Sequence, residues 1–289
     1  MSSADYFPAT KVLFTPLHFI DQFRENRLVI RSDDPRSFPE HLKGDGLERI
    51  EYLQLTDFEA DPSPLVKWES VFPIDLVMMA PGREFPRLYS FARLLDRGPV
   101  RVSIPMADGI EKAVKLAASL RFSVKIIPGQ PKTDQVMQLI RLADYYLKNP
   151  IIEEPIEFFH SLFFAIVKNE VTNLWEILEK DPDHYCFVSD EGRIVDGEPV
   201  QLPDLRIAAE TGDETTSVSK GTCHLHGQGD TNRHKECAEC IYYRWCRGFF
   251  KYPAPDYSCA AIFPLFEHLF AAAREFKQDM SASSPGTTS

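Results

Sequence analysis

Residues Val100–Ile127 read VRVSIPMADGIEKAVKLAASLRFSVKII: a short apolar run, a helical stretch and a second apolar run. Val100–Ile104 and Phe122–Ile127 have the brief, β-branched character of strands buried in a sheet. Between them, Ile110–Leu120 places Ala113, Leu116, Ala117 and Leu120 at helical spacing. A helix between two strands supplies the long crossover that parallel pairing requires.

The same rhythm extends in both directions. Upstream, strands are expected at Arg27–Ile30, Arg49–Leu55 and Ile74–Met79, and Phe85–Leu95 sets Phe85, Leu88, Phe91, Ala92 and Leu95 on one helical stripe. Downstream, Gln135–Leu147 repeats the helical pattern with Leu139, Ile140, Leu142, Ala143 and Tyr146. Consecutive βα units predict an α/β protein with a parallel sheet and right-handed crossovers. Four to five units suit a partial parallel (βα) barrel or an open sheet, and residues 1–150 are too few for a complete eight-unit barrel.

Pro150–Pro155 interrupts the periodicity and marks a junction. Beyond it, residues 151–280 begin with a helical stretch from Ile156 to about Leu178. Tyr185–Val188, a turn at Ser189–Gly192 and Arg193–Val195 follow as a hairpin. Gly197–Lys235 is polar and aperiodic, and the composition of residues 281–289 is that of a disordered tail.

A hydrophobic content of 44% and an aromatic content of 12% suit a globular chain with a sizeable core. The net charge of −11 argues against a nucleic-acid binder and against attraction to an anionic membrane surface. No run approaches the ~20 apolar residues that span a bilayer, and Met1–Tyr6 carries no secretory pattern, so a cytoplasmic location is expected.

Six cysteines occur, none before Cys186, and five of them fall between Cys223 and Cys259. In a reducing compartment such crowding points to metal or redox chemistry rather than disulfides. Cys237-x2-Cys240-x5-Cys246 sets two thiols on one turn and a third on the next, and Cys259 can close the set from a returning loop. Four thiolates suit a [4Fe–4S] cluster or a tetrahedral zinc. The x5 and x12 steps lack the second paired knuckle of a zinc ribbon, so the iron–sulphur reading leads. Zinc, with His224, His226 and His234 nearby, and ordinary cysteines remain the alternatives. Cys186 and Cys223 read as free thiols. The aromatics from Tyr242 to Tyr257 read as core around the cysteines, and Arg244, Arg247 and Lys251 as possible counter-charges.

This segment resembles the SPASM domain, the carboxy-terminal auxiliary-cluster domain of radical SAM peptide- and protein-modifying enzymes. The family pattern is C-x2-C-x5-C-x3-C followed by a distant cysteine, and it usually holds two [4Fe–4S] clusters. Cys237, Cys240, Cys246 and Cys259 match the ligands of one cluster. Phe250 stands where the x3 cysteine would be, and no cysteine follows the hairpin until Cys223, so the second cluster's ligands are missing together. The C-x3-C-x2-C that holds the radical-generating cluster is missing as well. The resemblance therefore implies an auxiliary [4Fe–4S] protein without its own radical chemistry. It would act with a catalytic radical SAM partner or a peptide substrate, by electron transfer or substrate presentation. A zinc-stabilised scaffold is the alternative, as is an enzyme whose substrate binds at the barrel mouth.

Four smaller signals carry less weight. Asp33-Asp34 and Glu153-Glu154 are adjacent acids of the solvated type. Gly44–Gly46 and Ala80–Gly82 are strand-end turns that match no phosphate-binding pattern.

Overall fold

The computed structural model describes residues 11–44, 46–195, 235–252 and 254–283. Seven strands follow one another across a sheet in chain order: Val12–Pro16 (β1), Arg27–Ser32 (β2), Ile50–Leu55 (β3), Ile74–Val77 (β4), Val100–Pro105 (β5), Ser123–Ile127 (β6) and Ile156–Glu157 (β7). Each is parallel to its neighbours. Tyr185–Val188 (β8) adds to the other side of β1, also parallel, and Ile194–Val195 (β9) folds back on it antiparallel. The chain is thus α/β, with an open, mostly parallel nine-stranded sheet ordered β7-β6-β5-β4-β3-β2-β1-β8-β9.

Because the order from β1 to β7 never reverses, right-handed crossovers put the connecting helices on a single face. Short helical turns at Ser37–His41 (α1), Ser63–Lys67 (α2), Pro81–Glu84 (α3) and Leu88–Phe91 (α4) serve the first crossovers. Ile110–Ser119 (α5), Thr133–Lys148 (α6) and Phe159–Lys168 (α7) serve the later ones, and Leu174–Ile177 (α8) precedes β8. The expected Phe85–Leu95 helix is broken into short α and 3-10 turns, where Pro86 withholds a backbone donor. The stretch expected as helix from Ile156 to Leu178 divides into β7, α7 and α8. Asn169 ends α7 in a left-handed conformation, and the Asn173 side chain caps α8 by accepting from the Trp175 and Glu176 amides.

Strand residues of one parity pack beneath the helices, with Leu28, Leu53, Leu76, Val102 and Val124 all in the main core. The other parity differs. Near β1 it is apolar, with Phe14 stacked on Phe187 at 4.5 Å, but farther along it presents the buried polar residues Gln54, Asp75, Ser103 and Lys125. The expectation of strands apolar on both faces is therefore corrected for β3 to β6. One face has helices to bury it, whereas the other is filled by the sheet's own polar side chains. β1, which the sequence reading passed over, lies inside the sheet between β2 and β8.

Among the described residues the remaining helices are Lys235–Ala238 (α9), Tyr243–Cys246 (α10) and Phe263–Ser283 (α11). α11 packs against α6 and α7 and extends into the stretch whose composition suggested a tail.

The loops after β4 and β5 touch through glycine. Gly109 has φ +84°, and a Cβ there would sit 2.2 Å from the Gly82 Cα. Gly109→Ala should therefore cost more than about 1 kcal/mol, from left-handed strain plus a backbone clash, and urea denaturation would measure the loss. At the Ala80–Gly82 turn Pro81 has no N–H to offer a phosphate, and the Met79 and Ala80 amides are taken by Glu84 Oε2, at 2.8 and 2.9 Å. Asp34 is engaged by Arg36, Glu153 by Arg121 and Glu154 by Ser123, as expected of surface acids. Of Gly44–Gly46, the middle residue lies outside the described residues.

Candidate metal centre

Local backbone geometry sets the spacing of the cysteines. Cys237 sits in α9, and the Cys240 amide returns to the Cys237 carbonyl at 3.3 Å, closing the first turn. Cys246 ends α10. Arg247 and Gly248 then take left-handed conformations, with φ of +48° and +78°, and reverse the chain. That reversal lets the backbone amides of Gly248, Phe249 and Phe250 hydrogen-bond to the Cys246 sulphur. Cys259 opens the 3-10 turn that leads into α11.

All four are free thiols. Cys237, Cys246 and Cys259 are buried, and Cys240 is partly exposed. They line one closely packed pocket, together with Tyr242, Phe263 and Phe266, whose free volume is only about 10 Å³. Among the described residues no three His, Cys, Asp or Glu side chains are gathered closely enough to grip a metal ion. A single zinc at Zn–S of about 2.3 Å would need the sulphurs drawn to roughly 3.8 Å of one another. Burial raises the Cys246 thiol to about 11 against the pull of its three amide donors, and raises Cys259 to about 12 against the attraction of Lys251.

The aromatics form a shell, as the sequence reading expects. Tyr242 stacks on Phe266 at 4.8 Å, and Trp245 meets Phe270 edge-on at 4.7 Å. Phe250, at the position of the family's missing cysteine, is fully buried against Phe249 and Phe266. Of the three candidate cations, Arg244 is bound to Asn169 and Arg247 lies over the Tyr243 ring, while Lys251 turns inward to Glu236. The segment is tied to the sheet domain by Gln130, whose Nε2 donates to the Phe250 and Ala254 carbonyls. Tyr257 donates to Pro131 O at 2.7 Å, and Trp175 Nε1 to Arg247 O at 3.1 Å. His224, His226, His234 and Cys223 lie outside the described residues.

Cys186 is corrected. It is disulfide-bonded and buried in β8, where spacing along the chain carries no sign of pairing. In denatured protein Cys186 should resist alkylation until reductant is added, whereas Cys237, Cys240, Cys246 and Cys259 react without it. Mass-spectrometric peptide mapping reads both.

A second polar assembly was invisible in the sequence reading. Register aligns Gln54 with Asp75, Asp75 with Arg101, and Ser103 with Lys125 across β3 to β6. Glu179, at a left-handed turn after α8, delivers a carboxylate to this row. Arg101 grips it with both terminal nitrogens at 3.0 and 2.9 Å, and Lys125 and the Tyr52 hydroxyl each reach it at 2.8 Å. Asp75 accepts from Arg101 at 3.1 Å and from Ser103 at 2.8 Å. Burial opposes ionisation of both carboxyls, yet Arg101 and Lys125 hold them below their ordinary values. Two anions and two cations balance. Strict alternation in Arg101-Val-Ser103 and Val124-Lys125-Ile126 was the available clue.

No protein-family model, curated protein or solved structure matches this chain. Among the described residues no helix is long and apolar enough to cross a membrane.

Proposed function

We propose that Cys237, Cys240, Cys246 and Cys259 hold one [4Fe–4S] cluster, and that the chain is an auxiliary-cluster partner of a radical SAM enzyme in peptide or protein maturation. In this reading the open sheet is a partial (βα) barrel and the segment from Lys235 onward is SPASM-like. The observation that carries it is that four free thiols from successive turns of one short segment line a single aromatic-walled pocket. The donor set fits the group: soft thiolates, a dry shell, and backbone amides directed at a sulphur, which are the features that tune such clusters. A bound cluster supplies one-electron transfer. This chain's residues hold it, exclude water and present the half-exposed Cys240 side to a partner. The radical-generating step belongs to the partner, since no cysteine precedes Cys186 to form the triad it needs.

The test is iron, acid-labile sulphide and zinc content after anaerobic reconstitution. About four iron and four sulphide per chain are expected. One zinc per chain without sulphide would replace electron transfer with a structural role and make the scaffold reading correct.

A further inference from the structure

We propose that Lys251 is the charge-compensating residue of the four-cysteine site, a fixed cation that raises the reduction potential of the group the thiols hold. The proposal rests on the iron–sulphur reading and deepens it.

Lysine is among the side chains least often buried, and a buried ammonium must be paired. Lys251 is nevertheless 8% exposed, at the end of the 3-10 turn that follows Cys246. Its Nζ donates to Glu236 Oε2 and to the Tyr257 carbonyl. Glu236 directly precedes Cys237, and its other oxygen accepts the Cys259 amide at 3.2 Å. Tyr257 lies just before Cys259. The amine thus sits where the segments bearing Cys237, Cys246 and Cys259 meet, and its charge is attracted to Cys259 and Cys237.

The pairing with Glu236 offsets part of this field without cancelling it, because at Cys259 the attraction of Lys251 outweighs the repulsion of the 42%-exposed Glu236 carboxylate. Reduction adds negative charge to a site that already holds four thiolates within an aromatic shell. A cation fixed there stabilises the reduced form more than the oxidised one. Arg244 and Arg247 have no comparable place, being directed at Asn169 and at the Tyr243 ring.

The experiment is a redox titration of the reconstituted full chain, followed by visible absorption and electron paramagnetic resonance. Lys251→Met should keep its iron and shift to a more negative midpoint. The expected change is about tenfold in the reduction equilibrium, or ~59 mV for one electron. Lys251→Arg should stay near the parent, and Glu236→Gln should shift the opposite way, because it removes the screened counter-charge. A purely structural role would not produce shifts of opposite sign. An unchanged midpoint in Lys251→Met, with iron bound, overturns the role of Lys251 and leaves the cluster reading standing. If Lys251→Met loses its iron, Glu236→Gln decides: a positive shift supports the proposal, and a null or negative shift overturns it. A parent chain that takes up no iron overturns both.

Discussion

Cys246→Ser should leave the reconstituted protein with almost none of its iron and sulphide, while the α/β fold persists. Cys246 is buried, takes three backbone amides on its sulphur and sits between the turn bearing Cys237 and Cys240 and the returning Cys259. A serine oxygen is harder and shorter, and it would leave those amides aimed at a weak ligand in a dry pocket. Cys240→Ser, at the exposed rim, should lose less. Iron and sulphide assays beside circular dichroism check the ranking, and full retention in Cys246→Ser would remove that residue from the site. A pH dependence accompanies this. Burial keeps the Cys246 and Cys259 thiols protonated near neutrality in the metal-free chain, so loading must expel protons and should become more favourable as pH rises. Uptake that falls between neutral and mildly alkaline pH would contradict the thiolate assignment.

Arg101→Met should be the most destabilising single change in the sheet, costing about 3–5 kcal/mol. It would strip Asp75, which is 1% exposed, of its closest cation and leave Glu179 with only Lys125 and Tyr52. The penalty is the uncompensated buried charge, not the lost attraction alone. The double change Arg101→Met with Glu179→Gln should therefore cost less than the sum of the two single changes. Urea denaturation of the four proteins gives the coupling, and simple additivity would refute it. The acid limb follows from the same row. Glu179 is held below its ordinary value of 4.5, so its contribution is complete above that pH and fades as pH falls toward its depressed value. Glu179→Gln should flatten the stability profile below about pH 4.5.

The strand–helix–strand pattern of Val100–Ile127 was enough to place β5, α5 and β6, and the neighbouring strands followed from the same local periodicity. β1 was harder, because Val12–Pro16 is a short run placed inside the sheet by β8, far along the chain, which covers the edge that β2 leaves open. The cysteine spacing was likewise legible: steps of x2 and x5 are set by single turns of backbone, and α9 and α10 supply those turns. The resemblance built on that spacing supplied the functional proposal, which the experiments above test.

Other features belong to the tertiary structure alone. The sequence names Asp75, Arg101, Lys125 and Glu179 as four charged residues on separate segments; only strand register and the turn after α8 make them one neutral cluster. It names Gln130 and Trp175 without hinting that they fasten the cysteine segment to the sheet domain. Lys251 reads as one basic residue among three until its amine is seen enclosed beside Glu236. Periodicity and ligand spacing are properties of a few consecutive residues and so are written locally. Pairing of charges depends on which distant segments the hydrophobic core brings together, and that is decided only when the whole chain packs.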